Sequence, residues 1–175
     1  YVVDEIELLV KKYKVNLISL FDDLFIAKRS RLEQILILME KRRLTGKVKF
    51  TASCRANLIK PDLAKLLARI GIVSTRMGLE SGDDETLRFL KGGNVTVAQN
   101  YAAVNHLKKV GIFVGGGFVI GSPKETREQV MKTYNFIRKS RLDVFDVYLL
   151  TPYPGTPIWD YAKERGLVSD DMQDW

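Results

Sequence analysis

Val73-Ser74-Thr75-Arg76-Met77-Gly78-Leu79-Glu80-Ser81-Gly82 is the stretch on which the fold turns. Residues 73–79 read as a buried strand, which then breaks at small residues around a single carboxylate. Just upstream, Pro61 stands in the first turn of a helix that stops at Gly71. Just downstream, a short helix over about 84–91 is broken by Gly92-Gly93. A strand set between helices by short connections is a βα unit, the repeating element of a parallel sheet.

The same alternation runs outward in both directions. Upstream lie a helix over about 2–14, a strand over 16–21, a helix over about 30–43 opened by a Ser30/Glu33 capping box, and a strand over 47–53. Downstream, Thr96 and Gln99 form a capping box for a helix that stops near Gly111, followed by a strand over 112–120. Thr126 and Gln129 open the next helix, which ends near Ser140. A strand over 144–150 and a helix over about 157–165, closed at Gly166, complete the chain. The strands are near-continuously apolar, which predicts that both faces are covered. The order is one helix and then five βα units, an α/β chain that forms either a partial (β/α) barrel or a doubly wound sheet. A complete eight-fold barrel needs about 250 residues and does not fit.

Composition sets the outer bounds. The chain has 175 residues, 46% hydrophobic and 28% charged, which excludes wholesale disorder and supports one domain spanning 1–175. No apolar run approaches the ~20 residues of a membrane helix, and no signal peptide opens the chain. One cysteine excludes an internal disulfide framework and fits a reducing, cytoplasmic setting. The net charge of +7 favours anionic partners, but it is scattered over Lys11, Lys12 and Lys14, Lys28, Arg29 and Arg31, and Lys41, Arg42 and Arg43. Such scattered groups read as ordinary solvated helix faces ahead of a nucleic-acid surface.

In either architecture the ligand lies at the carboxyl ends of the strands. Those ends carry Asp22-Asp23, then Ser53, Cys54 and Arg55, then Glu80-Ser81-Gly82, then Gly121-Ser122-Pro123, and finally 151–157. Asp22 and Asp23 can accept from an ammonium or ribose hydroxyls, or can cap the next helix or pair with Lys28 or Arg29. Arg55 can clamp a carboxylate, or pair with Asp23 or Glu80 around the same rim. Cys54 reads as a small buried residue. Glu80, with no nearby lysine in sequence to neutralise it, is the sharpest candidate; the competing reading is a cap for the helix near Asp84. Gly115-Gly116-Gly117 inside the fourth strand marks a ligand's close approach or tight packing. His106 reads as a packing or surface residue.

These strand ends resemble the radical S-adenosylmethionine superfamily, in the subgroup that often carries an upstream cobalamin-binding domain. Asp22-Asp23 followed by Phe25 is similar to its Asp-Asp-x-Phe segment. Gly78-Leu79-Glu80-Ser81-Gly82 is similar to its Gly-Ile/Leu-Glu-Ser-Gly motif. Residues 121–126 resemble Gly-x-Pro-x-Glu-Thr, and 151–157 resemble its Pro-Tyr-Pro-Gly-Thr-Pro turn. The resemblance implies a (β/α)6 partial barrel, of which this chain holds five units. It implies S-adenosylmethionine across the strand ends, a four-iron four-sulfur cluster, cleavage to a 5′-deoxyadenosyl radical, and cobalamin in those whole proteins that carry its domain. The cofactor-binding residues it implies are Asp22 and Asp23 near the methionine ammonium, and Ser53 and Glu80 near the methionine or ribose groups. Val119 and Gly121 fall near the adenine, with Arg55, Ser81 and Tyr148 completing the set.

The chain departs from the family at two places. The Cys-x-x-x-Cys-x-x-Cys cluster motif is absent, so the expectation is a piece lacking the first strand and cluster loop, inactive by itself. The family also often has a basic residue after the short helix that follows Glu80, and it stays open whether Lys91 or Gly92 holds that slot. Loss of a first strand would leave an apolar edge near 16–21, predicting a dimer or swapped assembly there. Two other functions remain open: a magnesium- or manganese-dependent barrel enzyme using Asp22, Asp23 and Glu80, and a basic RNA-binding module.

Overall fold

A computed structural model describes residues 1–22 and 25–169. The elements follow in the order α1 (Val2–Lys11), β1 (Leu17–Leu20), α2 (Arg29–Lys41), β2 (Lys49–Ser53), α3 (Pro61–Ile70), β3 (Ile72–Glu80), α4 (Asp84–Lys91), α5 (Val97–Lys109), β4 (Phe113–Ile120), α6 (Arg127–Lys139), β5 (Val144–Leu149) and α7 (Pro157–Lys163). The five strands make one sheet in the order β1-β2-β3-β4-β5, every neighbouring pair parallel. A doubly wound sheet reverses its strand order at a switch point. Chain order equal to spatial order is the arrangement of a barrel wall, so the chain is a partial TIM-like (β/α) barrel.

The core lies between the sheet and its helices. Phe50, Ala52, Met77, Leu79, Val114 and Phe118 point from the strands to Leu32, Ile35, Met39, Leu67, Ile70, Val104, Leu107 and Phe136 on the helices, all buried. Phe118 and Phe136 stack at 5.7 Å between centroids, and Tyr101 meets Phe136 at 4.1 Å. Burying such rings stabilises the fold by about 2 kcal/mol each.

The expectation that both faces of the sheet are covered is wrong. The opposite face is concave and bears small, polar or exposed residues, among them Leu17, Ser53, Arg76 and Phe113. On the other, helix-facing side, Phe145, Val147 and Leu149 of β5 are exposed too, Phe145 and Val147 lying beside α6. The Ser30/Glu33 capping box is also absent. The helix starts one residue earlier, with Lys28 as an N-cap that makes no side-chain bond. Arg29 is tied to Glu33 and, across to α3, to Asp62, which draws it into the first turn. The Thr96/Gln99 and Thr126/Gln129 boxes both form. The first helix ends at Lys11, short of residue 14, where Lys14 turns left-handed at φ +58°.

Candidate functional site

The site is built around one backbone turn. Leu79 points into the core, and Glu80 follows it at φ +61°, a conformation non-glycine residues rarely adopt. The Ser81 N–H closes a three-residue turn on the Leu79 carbonyl at 2.8 Å. The buried Asn100 of α5 donates its Nδ2 to the same carbonyl at 2.9 Å. Local strain of this kind persists only where surrounding contacts over-determine it. The turn also slips the pairing register, so that Gly78 faces Gly117 but Glu80 faces Phe118.

The Glu80 side chain folds back toward its own strand. A Cβ at Gly78 would collide with the Glu80 carboxylate and lie 3.4 Å from Lys91 Nζ. Glycine at 78 is therefore what leaves room for the carboxylate. Lys91, at the end of α4, reaches Glu80 Oε1 at 3.1 Å. That corrects the expectation that no lysine neutralises Glu80, and it puts the basic side chain on Lys91, not Gly92. The cap of α4 is Asp83, not Glu80: its Oδ2 accepts from the amides of Glu85 and Thr86.

Ser81 does not face the concave side. Its side chain is fully buried, bonded to Thr133 Oγ1 at 3.1 Å and accepting from the Asp83 N–H. Gly82 lets α6 come close, because a Cβ there would stand 2.6 Å from the Lys132 carbonyl. Lys132 then bonds Asp83 Oδ1 at 2.5 Å. Burial pushes the Asp83 carboxyl up, but Lys132 and the two amides outweigh it and hold it below the ordinary carboxylate value. Ser81 thus locks the loop to α6.

On β4, the Val119 position pairs with Tyr148 of β5, the pair lying next to Gly121. Gly121 turns left-handed at φ +87°, and its N–H donates to Glu125 Oε2 at 2.7 Å, joined by that of Ser122 at 3.2 Å. The second Glu125 oxygen and the Ser122 hydroxyl are buried with no partner among the described residues.

At the β1 end, Asp22 pairs with Arg31 at 3.2 Å. Asp23 lies outside the described residues. Ser53 is exposed at the end of β2, beside Arg76 in the register. Arg55 is exposed and forms no ion pair among the described residues. Cys54 is buried, and burial pushes its thiol up to about 12. His106 is half-buried on α5.

Sequence reasoning missed Asn100, Arg76 and Asp146. Asn100 sits at helical spacing from Ala103, Val104 and Leu107, and a polar residue on that apolar stripe was the available signal. Arg76 and Asp146 bond at 2.7 Å across a separation of 70 residues, for which no local signal exists. Among the described residues, no three His, Cys, Asp or Glu side chains converge as a metal site. Three of the four arginines in the basic groups are paired: Arg29 with Glu33 and Asp62, Arg31 with Asp22, and Arg42 with Asp4 and Glu7. No helix among the described residues is long and apolar enough to cross a membrane.

A strained carboxylate-bearing turn and glycine-opened strand ends on a parallel partial barrel define the class. Residues 1–137 match the radical SAM superfamily, and the chain belongs to it. It is 34% identical over 95% of its length to an uncharacterized methyltransferase of Pyrococcus horikoshii, of which it covers 36%. It is 30% identical over 97% of its length to an anaerobic magnesium-protoporphyrin IX monomethyl ester cyclase of Cereibacter sphaeroides, of which it covers 28%. The chain thus spans about a third of these relatives. Among solved structures, the radical S-adenosylmethionine methyltransferase TsrM of Kitasatospora setae, with cobalamin and a [4Fe-4S] cluster bound, superposes with a TM-score of 0.78. The match covers 94% of this chain and 31% of TsrM, at 22% identity.

Proposed function

We propose that this chain is the S-adenosylmethionine-binding wall of a radical enzyme. The observation that carries the reading is the Glu80 carboxylate, set at a left-handed turn over Gly78 and supported by Asn100. The donor set suits the ligand. Glu80 and Asp22 are acceptors for an ammonium or ribose hydroxyls, and Lys91 and Arg55 are cations for its carboxylate. Val119, Tyr148 and Gly121 offer an apolar edge for the adenine. Ser53 lies on the same concave face. Ser81 acts through the loop it locks.

With a reduced [4Fe-4S] cluster, bound S-adenosylmethionine supplies a 5′-deoxyadenosyl radical, or a methyl group where cobalamin takes part. The residues present do not fit the cluster: three thiolates are needed, and the single cysteine is buried with a raised pKa. The cluster ligands, and cobalamin if used, therefore belong to the whole protein, for which we propose a cytoplasmic location. The methyltransferase and cyclase names of the relatives support methyl transfer or ring formation as its reaction. The free edge of β1, which pairs only with β2 among the described residues, supports a dimer or swapped assembly through that strand.

The test is anaerobic reconstitution of the full-length protein, reduction with S-adenosylmethionine, and quantification of iron and 5′-deoxyadenosine. About four irons and a 5′-deoxyadenosine signal lost in Glu80→Ala are expected. No iron and no cleavage would sink the reading.

A further inference from the structure

We propose that the concave cleft below Glu80 seats a carboxylate of the substrate, and that Arg76 recognises it. The proposal rests on the radical-enzyme reading and names the substrate class for the same site.

The cleft has a volume of about 330 Å³; Ser19, Thr51, Ser74 and Arg76 line its floor, while Ser53 and the Asp22 carboxylate, which pairs with Arg31, stand at the strand-end rim assigned above to S-adenosylmethionine. The hydroxyls of Ser19, Thr51 and Ser74 and the Arg76 guanidinium, on three adjacent strands, supply donors below that rim. Thr51 and Ser19 already share a hydroxyl bond at 3.0 Å, which orients both. Arg76 Nη1 donates to Asp146 on β5 at 2.7 Å, reaching across the whole width of β4. Among the described residues its remaining N–H groups meet no acceptor, and its side chain is 61% exposed. A planar fork with one arm fixed and the other open is suited to a carboxylate. Asp146 neutralises part of the charge, so the site matches a monoanion better than a phosphate.

The glycines make this arrangement possible. A Cβ at Gly115 would crowd Arg76 Cγ at 3.1 Å and Val144 Cγ1 at 3.2 Å, so Arg76 would have to shift. At Gly117 a Cβ would meet nothing nearer than the Met77 carbonyl at 4.0 Å. Gly117 therefore leaves open space beside Asp146 and Gly78, its partners in the register. Stability does not explain the design. Glycine inside a strand weakens it, and an exposed ion pair contributes little in return. Arg76 also lies four residues below Glu80, roughly 13 Å down the strand. An anion held there would leave the rest of a substrate pointing toward the Glu80 rim.

The experiment uses the full-length protein and a matched pair of probes, sodium benzoate and neutral benzamide, followed by ligand-observed saturation-transfer NMR. Benzoate is expected to bind about tenfold more tightly than benzamide, as loss of a charged hydrogen-bond partner implies. Arg76→Gln is expected to erase the difference. Equal binding of the two probes to the wild type, or a benzoate preference that survives Arg76→Gln, would overturn the proposal. S-adenosylmethionine binding is measured on the same wild-type sample. Its absence beside an intact benzoate preference would remove the radical-enzyme reading and leave the carboxylate site standing.

Discussion

Gly78 lies directly beneath the Glu80 carboxylate, in the space any larger residue's Cβ would need. Gly78→Ala therefore swings Glu80 off its position without touching a cofactor itself. Affinity for S-adenosylmethionine in the full-length protein is expected to fall about tenfold, the value of one charge-assisted hydrogen bond. Equilibrium dialysis measures it, and unchanged affinity would show that Glu80 is not a ligand.

Asn100 separates positioning from stability. Its Nδ2 holds the Leu79 carbonyl, while its Oδ1 is buried with no partner among the described residues. Asn100→Leu removes both the bond and the orphan while keeping the branched outline of the side chain. The thermal midpoint is expected to move by only about 2–4 °C. S-adenosylmethionine affinity is expected to fall several-fold, because the turn bearing Glu80 loses its outer support. A large midpoint loss with unchanged affinity would assign Asn100 to packing alone.

Acid sensitivity follows from Asp83 and Asp143. Burial pushes the Asp143 carboxyl up, but Lys108, at 2.7 Å, and the Val114 amide outweigh it and hold it low. Both carboxyls are depressed, so their contribution is complete above the ordinary value near 3.9 and is lost as pH falls through the folded value. Thermal melts are expected to be flat from pH 7 to about pH 5 and to drop steeply below about pH 4. Asp143→Asn is expected to be less stable at pH 7 and to show a shallower acid slope.

Cys54 is expected to resist alkylation at pH 8 in the folded protein, since burial raises its thiol to about 12. Residue-resolved mass mapping should find it labelled only after denaturation. Rapid labelling under native conditions would mean that the loop after β2 opens.

Local grammar was legible, and long-range geometry was not. The capping boxes at Thr96 and Thr126 lie within four residues and form as read. Ser30/Glu33 has the same pattern and fails, because Arg29 answers to Asp62 on another helix. The Glu80 strand end was readable from the break at 80–82. Its partner Lys91 was not, because eight residues of helix carry that lysine back to the rim. Ser81 looked like a rim residue until the turn at Glu80 sent it inward to Thr133.

The strictly sequential sheet also bears on how the chain is made. Each strand from β2 to β5 docks against the one synthesised just before it, so none of these strands waits for a distant strand to leave the ribosome. Assembly can proceed as a vectorial zipper. The Arg76–Asp146 tie, which vaults over β4, can close only after β5 arrives, which makes it a late lock on β3 and β4, already docked by then.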